Sequence, residues 1–197
     1  IGGLTKGLQQ AGIRVIAGID NDAKCKYGYE RSNNAKFILK DIRDVTATDL
    51  QSLYSKNTIR VLAGCAPCQP YSGLNRKMRS AKDNIPIRKF ADLVREIKPE
   101  IVTMENVKGL TDKKKYPVFR YFLKVLEGNG YEVWYNVVNA ADYGVPQERK
   151  RLVLIASRIG KKIGLTEPTH ENSRITVREA ISHLDSIRDG ESSPKDP

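Results

Sequence analysis

Cysteine, histidine and tryptophan are scarce in this 197-residue chain, and each shortage excludes something. Three cysteines (Cys25, Cys65, Cys68) and two histidines (His170, His183) are too few and too scattered for a disulfide framework or a four-ligand zinc site. No apolar run approaches the roughly 18 residues that a membrane-spanning helix needs. Nor does an apolar stretch with a basic flank open the chain, as a secretory signal would. These shortages describe a reduced, intracellular protein with no metal and no membrane partner. Position 1 is Ile, so the natural chain is expected to start earlier. What is present suits a packed core: 40% of residues are hydrophobic and 29% charged, which bounds the chain to one domain with at most part of a second.

Acid is the other shortage. Lys and Arg number 34 against 23 Asp and Glu, a net charge of +11. Three stretches carry more than that whole excess: 76–89 with six basic residues and one acid, 108–120 with five and one, and 147–162 with six and one. The rest of the chain is therefore net acidic. Basic charge gathered into segments suits a phosphate-facing surface, and it suits solvated loops and helix faces equally well.

Short β-rich runs alternate with amphipathic helical stretches. Gly2-Gly3 opens a turn into a helix with Leu4, Leu8 and Ala11 at helical spacing, stopped by Gly12. Strands are expected over 13–19, 37–39, 59–63, 100–104, 131–138 and 152–156. Helices are expected over 22–31, 48–55, 87–98, 118–126 and 176–184. This order predicts an α/β fold: a doubly wound, mostly parallel sheet covered on both faces. In such sheets ligands sit beyond the carboxyl ends of the strands. Asp20, Asp41, Cys68 and Glu105 each follow a predicted strand.

Several residues carry chemistry. Cys68 sits in Pro67-Cys68-Gln69-Pro70, a rigid turn that fixes where the sulfur points. A thiol with an ordinary pKa near 8.5 needs neighbouring positive charge to become a competent nucleophile. A buried structural cysteine and a Cys65-x-x-Cys68 redox pair are the competing readings. Glu105, followed by Asn106-Val107, is placed where a carboxyl group in a low-dielectric cleft can exchange a proton near neutral pH; an ordinary strand-end acid is the plainer alternative. Arg149 and Arg151, with Gln147 at the same parity, share one side of an extended chain and suit a planar polar ligand or a phosphate. Against this stands a charged strand edge. Gly2-Gly3 before a helix, with Asp20 at the end of the next strand, has the spacing by which dinucleotide-type folds place a carboxylate on a ribose.

In order, the segments IGGLTKGLQQAG, GIDND, KDI, GCAPCQPYS, MENV and NAADYGVPQERKRLVLIAS resemble the cytosine carbon-5 methyltransferase family, over residues 1 to about 185. The resemblance implies a Rossmann-like sheet of the S-adenosylmethionine-dependent type. It implies transfer of a methyl group to carbon 5 of a flipped-out cytosine in double-stranded DNA, with S-adenosylhomocysteine as product. Cys68 would add to carbon 6 of the base, Glu105 would contact ring nitrogen 3, and Arg151, with Arg149 beside it, would hold the cytosine. Arg149, Arg151, Gln69 and Ser72 would face DNA. Ile1, Gly2, Gly3, Asp20, Asn21, Asp41, Ile42 and Pro67 would line the cofactor site. Asn21 departs from the family pattern, in which an aromatic or apolar residue faces adenine. DNIPIRKF after Lys82 departs as well, and Arg60 stands where an acid is usual.

The resemblance further implies the modification part of a restriction-modification system, in a prokaryotic cytoplasm and nucleoid, or a nucleus in a eukaryote. Residues 1–185 would form the catalytic domain, lacking the strand before Ile1. Residues 186–197 would begin a linker to a target-recognition region, carried later in the chain or by a second polypeptide. A tRNA methyltransferase of the same family and a thiol oxidoreductase are the alternatives.

Overall fold

The computed structural model describes residues 2–66, 84–112, 116–160 and 163–191. Helix α1 (Gly3–Gln10) leads to strand β1 (Ala17–Asp20), α2 (Cys25–Ser32), β2 (Lys36–Leu39), α3 (Ala47–Gln51) and β3 (Val61–Gly64). Then come α4 (Ile85–Ile97), β4 (Ile101–Val107), α5 (Pro117–Gly128), β5 (Glu132–Asn139), β6 (Lys150–Ser157) and α6 (Val177–Ile181). The α/β class and its alternation are as expected from the sequence.

The sheet departs from the expected mostly parallel arrangement at one strand, β6. It is mixed: β1 pairs with β2 and β3 with β4 in parallel, while β6 runs antiparallel to both β4 and β5. The cause lies in the connections. Parallel neighbours need a crossover of a dozen or more residues, as the segment with α4 provides between β3 and β4. Only the short 140–149 arm joins β5 to β6, so the chain turns back on itself. Among the described residues the strands form two groups, β1-β2 and β3-β4-β6-β5.

Alternation along the strands sets the core. Val102, Met104, Leu152, Leu154 and Ala156 are buried on one face of β4 and β6. Ile87, Phe90, Ala91 and Val94 of α4 and Val118, Phe119, Phe122 and Leu126 of α5 cover that face, each at helical spacing. Phe90 and Phe122 meet with ring centres 5.6 Å apart, and Phe119 stands edge-on to Tyr135 at 5.2 Å. A smaller cluster of Val45, Leu50, Leu93 and Ile97 takes Ile19 of β1 and Leu62 of β3 against it, tying the two strand groups to one helix. The opposite face of β4 is only half-buried, and there the polar side chains gather.

Arg60 is a structural residue. Its guanidinium forks onto Glu100 at 2.8 and 2.9 Å and donates to the carbonyls of Ile97 and Lys98, fastening the start of β3 to the end of α4. That hydrogen bonding holds the Glu100 carboxyl at about 2, below its ordinary 4.5.

Candidate functional site

The residues singled out in the sequence fall into two groups at the carboxyl ends of the strands. The first lies at β1 and β2. Gly2, in the left-handed conformation (φ 80°), starts α1, and Gly3 is the helix's first residue. Asp20 ends β1; one carboxylate oxygen accepts from the Asp22 amide at 2.9 Å, which leaves the second open among the described residues. Asp41 starts a 3-10 turn over Ile42–Asp44, and Asn21 donates to it at 3.1 Å. Arg43 takes most of what remains: its backbone and side-chain nitrogens reach Asp41 at 2.7–2.9 Å and lower its pKa well below the carboxylate range. Four donors on two oxygens fill the Asp41 carboxylate. Ile1 and Pro67 lie outside the described residues.

The second group is built by β4 and β6. Glu105 lies inside β4 rather than at its end, because pairing with β6 carries the strand on to Val107. In that ladder Val107 faces Arg151 and Glu105 faces Val153. Glu105 and Arg151 thus share the half-buried face as diagonal neighbours, within reach of long side chains. Arg151 Nε lies 3.1 Å from Glu105 Oε1, and Arg149 Nη2 lies 3.9 Å from the same oxygen. The parity expected for the two arginines holds. Had β6 run parallel to β4, its first residues would lie at the far end of the sheet from Glu105.

On the opposite face of β4, Asn106 is buried and donates to the Ala66 carbonyl at 3.1 Å. That bond anchors the chain just before Pro67-Cys68. Cys68, Gln69 and Ser72 lie outside the described residues, as does most of the 76–89 basic stretch. Cys65 is exposed as a residue, yet protein around its sulfur and the Glu105 charge push its thiol up to about 11. At neutral pH it is a protonated thiol, a poor partner for redox exchange. Of the other basic residues, Arg88 is engaged over the Tyr121 ring, 4.7 Å from its centre.

Two features escaped the sequence. Asn106 was visible only as part of Glu-Asn-Val, with nothing to show that it reaches Ala66. Arg174 was not singled out at all; it binds Asp142 and Glu148 from a segment without regular structure, and no local pattern marks it.

Residues 1–196 match the family model for C-5 cytosine-specific DNA methylase. The chain belongs to that family. It is 45% identical to Type II methylase M.HgiDII of Herpetosiphon aurantiacus, over 93% of this chain and 52% of that protein. It is 35% identical to Type II methyltransferase M.XorII of Xanthomonas oryzae pv. oryzae, over 98% and 46%. The chain therefore spans about half the length of these curated relatives. Among solved structures it resembles an E. coli protein described as a prophage-encoded DNA modification methyltransferase (TM-score 0.77, 22% identity, 94% of this chain and 53% of that one). It also resembles Schizosaccharomyces pombe Dnmt2 methyltransferase (TM-score 0.64, 21% identity, 83% and 48%). These likenesses place the fold with the Rossmann-like methyltransferases. No helix among the described residues is long and apolar enough to cross a membrane.

Proposed function

We propose that the intact protein methylates carbon 5 of cytosine in double-stranded DNA, as the modification part of a restriction-modification system. One observation carries the reading. Glu105, paired with Arg151 and near Arg149, stands on β4 beside Asn106, which holds the Ala66 carbonyl just ahead of Pro67-Cys68 in the chain.

The donor set at β1 and β2 suits S-adenosylmethionine. Asp20 offers an open carboxylate oxygen to ribose hydroxyls, and the first amides of α1 after Gly2 suit a carboxylate. Ile42 would border the adenine, and Asn21 would face it with a polar edge. Asp41, its oxygens filled by Arg43 and Asn21, would serve adenine only by giving up a donor. When bound, the cofactor supplies an electrophilic methyl group. The carbon that accepts it is a poor nucleophile until the aromatic ring is broken. Cys68 would break it: its thiolate forms a bond to carbon 6 while Glu105 holds a proton at ring nitrogen 3. Arg151 would hold the base and Arg149 would sit beside it near the DNA backbone. After transfer, loss of the carbon-5 proton to a base and cleavage of the carbon–sulfur bond restore the ring and the thiol. The cytosine must leave the stack to reach Cys68, at a cost of a few kcal/mol.

Residues 1–185 would form the catalytic domain and 186–197 the start of a linker. Base-edge contacts that choose a site would come from later chain or from a second polypeptide.

Covalent capture tests the reading. DNA carrying 5-fluorocytosine at the target should be trapped on the intact protein, because fluorine does not leave as a proton does, and Cys68→Ser should trap none. An adduct that survives denaturation in the Cys68→Ser protein overturns the assignment. Methyl transfer to tRNA but not to DNA would move the reading to an RNA substrate.

A further inference from the structure

The arm between β5 and β6 brings Arg149 and Arg151 to Glu105, and it is fastened on both sides. On the inner side Asn139 closes its base: the Asn139 side-chain oxygen accepts from the Arg149 amide at 3.0 Å, and the Ala140 amide donates to the Arg149 carbonyl at 2.9 Å. On the outer side the irregular segment 166–174 lies along it. Tyr143 donates its hydroxyl to the Thr166 carbonyl at 3.2 Å, and the His170 amide donates to the Asp142 carbonyl at 2.8 Å. The His170 ring covers Gly144, which is left-handed (φ 86°); a Cβ there would stand 3.0 Å from the ring, so the fit requires glycine. Arg174 spans the arm, with Nη2 2.7 Å from Asp142 and Nη1 3.1 Å from Glu148.

That last contact is placed oddly for a stability device. Glu148 is 76% exposed, and exposed ion pairs contribute little to folding. Its position along the chain is what matters. Glu148 lies between Gln147 and Arg149, outside the β5–β6 ladder, which begins at Lys150. No strand pairing sets which way its side chain turns. Drawing Glu148 outward to Arg174 leaves Arg149, whose amide and carbonyl are held by Asn139 and Ala140, free to face Glu105. It also keeps an acid from competing with Glu105 for the two guanidinium groups, of which Arg149, at 3.9 Å, is the looser.

We propose that Arg174 is a positioning residue: by holding Glu148 and Asp142 on the outside of the arm, it keeps Arg149 turned to Glu105. The consequence for catalysis rests on the function proposed above.

The test uses the intact protein with Arg174→Gln, Arg174→Lys and the double variant Arg174→Gln/Glu148→Gln. Arg174→Gln should lower kcat for methyl transfer about ten-fold, as loss of positioning does, while Tm shifts by only about 2 °C. Arg174→Lys should recover part of the rate. The double variant, lacking the competing acid, should recover to within about three-fold of wild type. A second readout does not depend on activity: the Arg149 Nε–H resonance should broaden in Arg174→Gln and return in the double variant, while that of Arg151, fixed by the β6 ladder, should stay unchanged. Wild-type rates in Arg174→Gln, or a loss that follows Tm and is rescued by neither second variant, would overturn the proposal. A wild-type protein that transfers no methyl group to DNA defeats the functional reading instead, and the resonance then decides the role of Arg174.

Discussion

The β1–β2 end and the β4–β6 end of the molecule are made differently. At β1 and β2 the polar side chains are held by near neighbours in the chain: Asp20 by the Asp22 amide, Asp41 by Arg43. The strands there are four residues long and mostly half-buried or exposed. At β4 and β6 the decisive contacts join distant residues: Glu105 with Arg151, Asn106 with Ala66, and Arg60 with Glu100. They stand on a core whose central side chains are fully buried. A carboxylate held by amides two residues away is oriented by a turn alone. A carboxylate that meets a guanidinium of another strand needs the two strands in register.

The contrast should first appear in stability. Leu154→Ala, beneath the β4–β6 face, should cost about 2–5 kcal/mol in urea unfolding. Ile38→Ala in half-buried β2 should cost only about 1 kcal/mol. Equal losses would mean that the two ends are packed alike. Catalysis should divide along the same line. Glu105→Gln should lower kcat about a hundred-fold with cofactor affinity unchanged, whereas Asp20→Asn should weaken cofactor binding about ten-fold and leave kcat nearly intact. Effects crossed between the two measurements would break the division.

Acid should act through the distant pair as well. Glu100 titrates at about 2 in the folded protein against an ordinary 4.5, so its ionised form adds stability above about 4.5. That contribution is lost as pH falls toward 2. Glu100→Gln should flatten the fall in Tm over that window, and an unchanged acid limb would show that Arg60–Glu100 contributes nothing there. The smallest effect is expected at Cys65, protonated at neutral pH: Cys65→Ser should keep methyl transfer within about two-fold of wild type. A loss as large as that of Cys68→Ser would favour the redox pair.

Much of this was legible in the residues. Alternation of β-rich and amphipathic runs predicted the α/β class, with most elements placed to within a few residues. The strands came out shorter at β1 and β3 because paired register begins at Ala17 and Val61; just ahead of it the Ile16 and Arg60 carbonyls accept from Lys36 and Ile101. The 176–184 helix closes early at Ile181, where Val177 and Ile181 are exposed and no packing extends it.

Sequence by itself determined the local pieces: the glycine start of α1, the Asp20 turn, the Asp41 cap, and the shared parity of Arg149 and Arg151. Each depends on φ/ψ preference, spacing or a hydrogen bond within a few residues, and such terms act wherever the segment lies. Tertiary structure alone decided that β6 runs antiparallel, that Glu105 therefore meets Arg151, and that Arg174 reaches Glu148. Those contacts depend on strand direction and register, which are set by the length of the β5–β6 arm and by which apolar face α4 and α5 can bury; no short stretch of sequence carries that information.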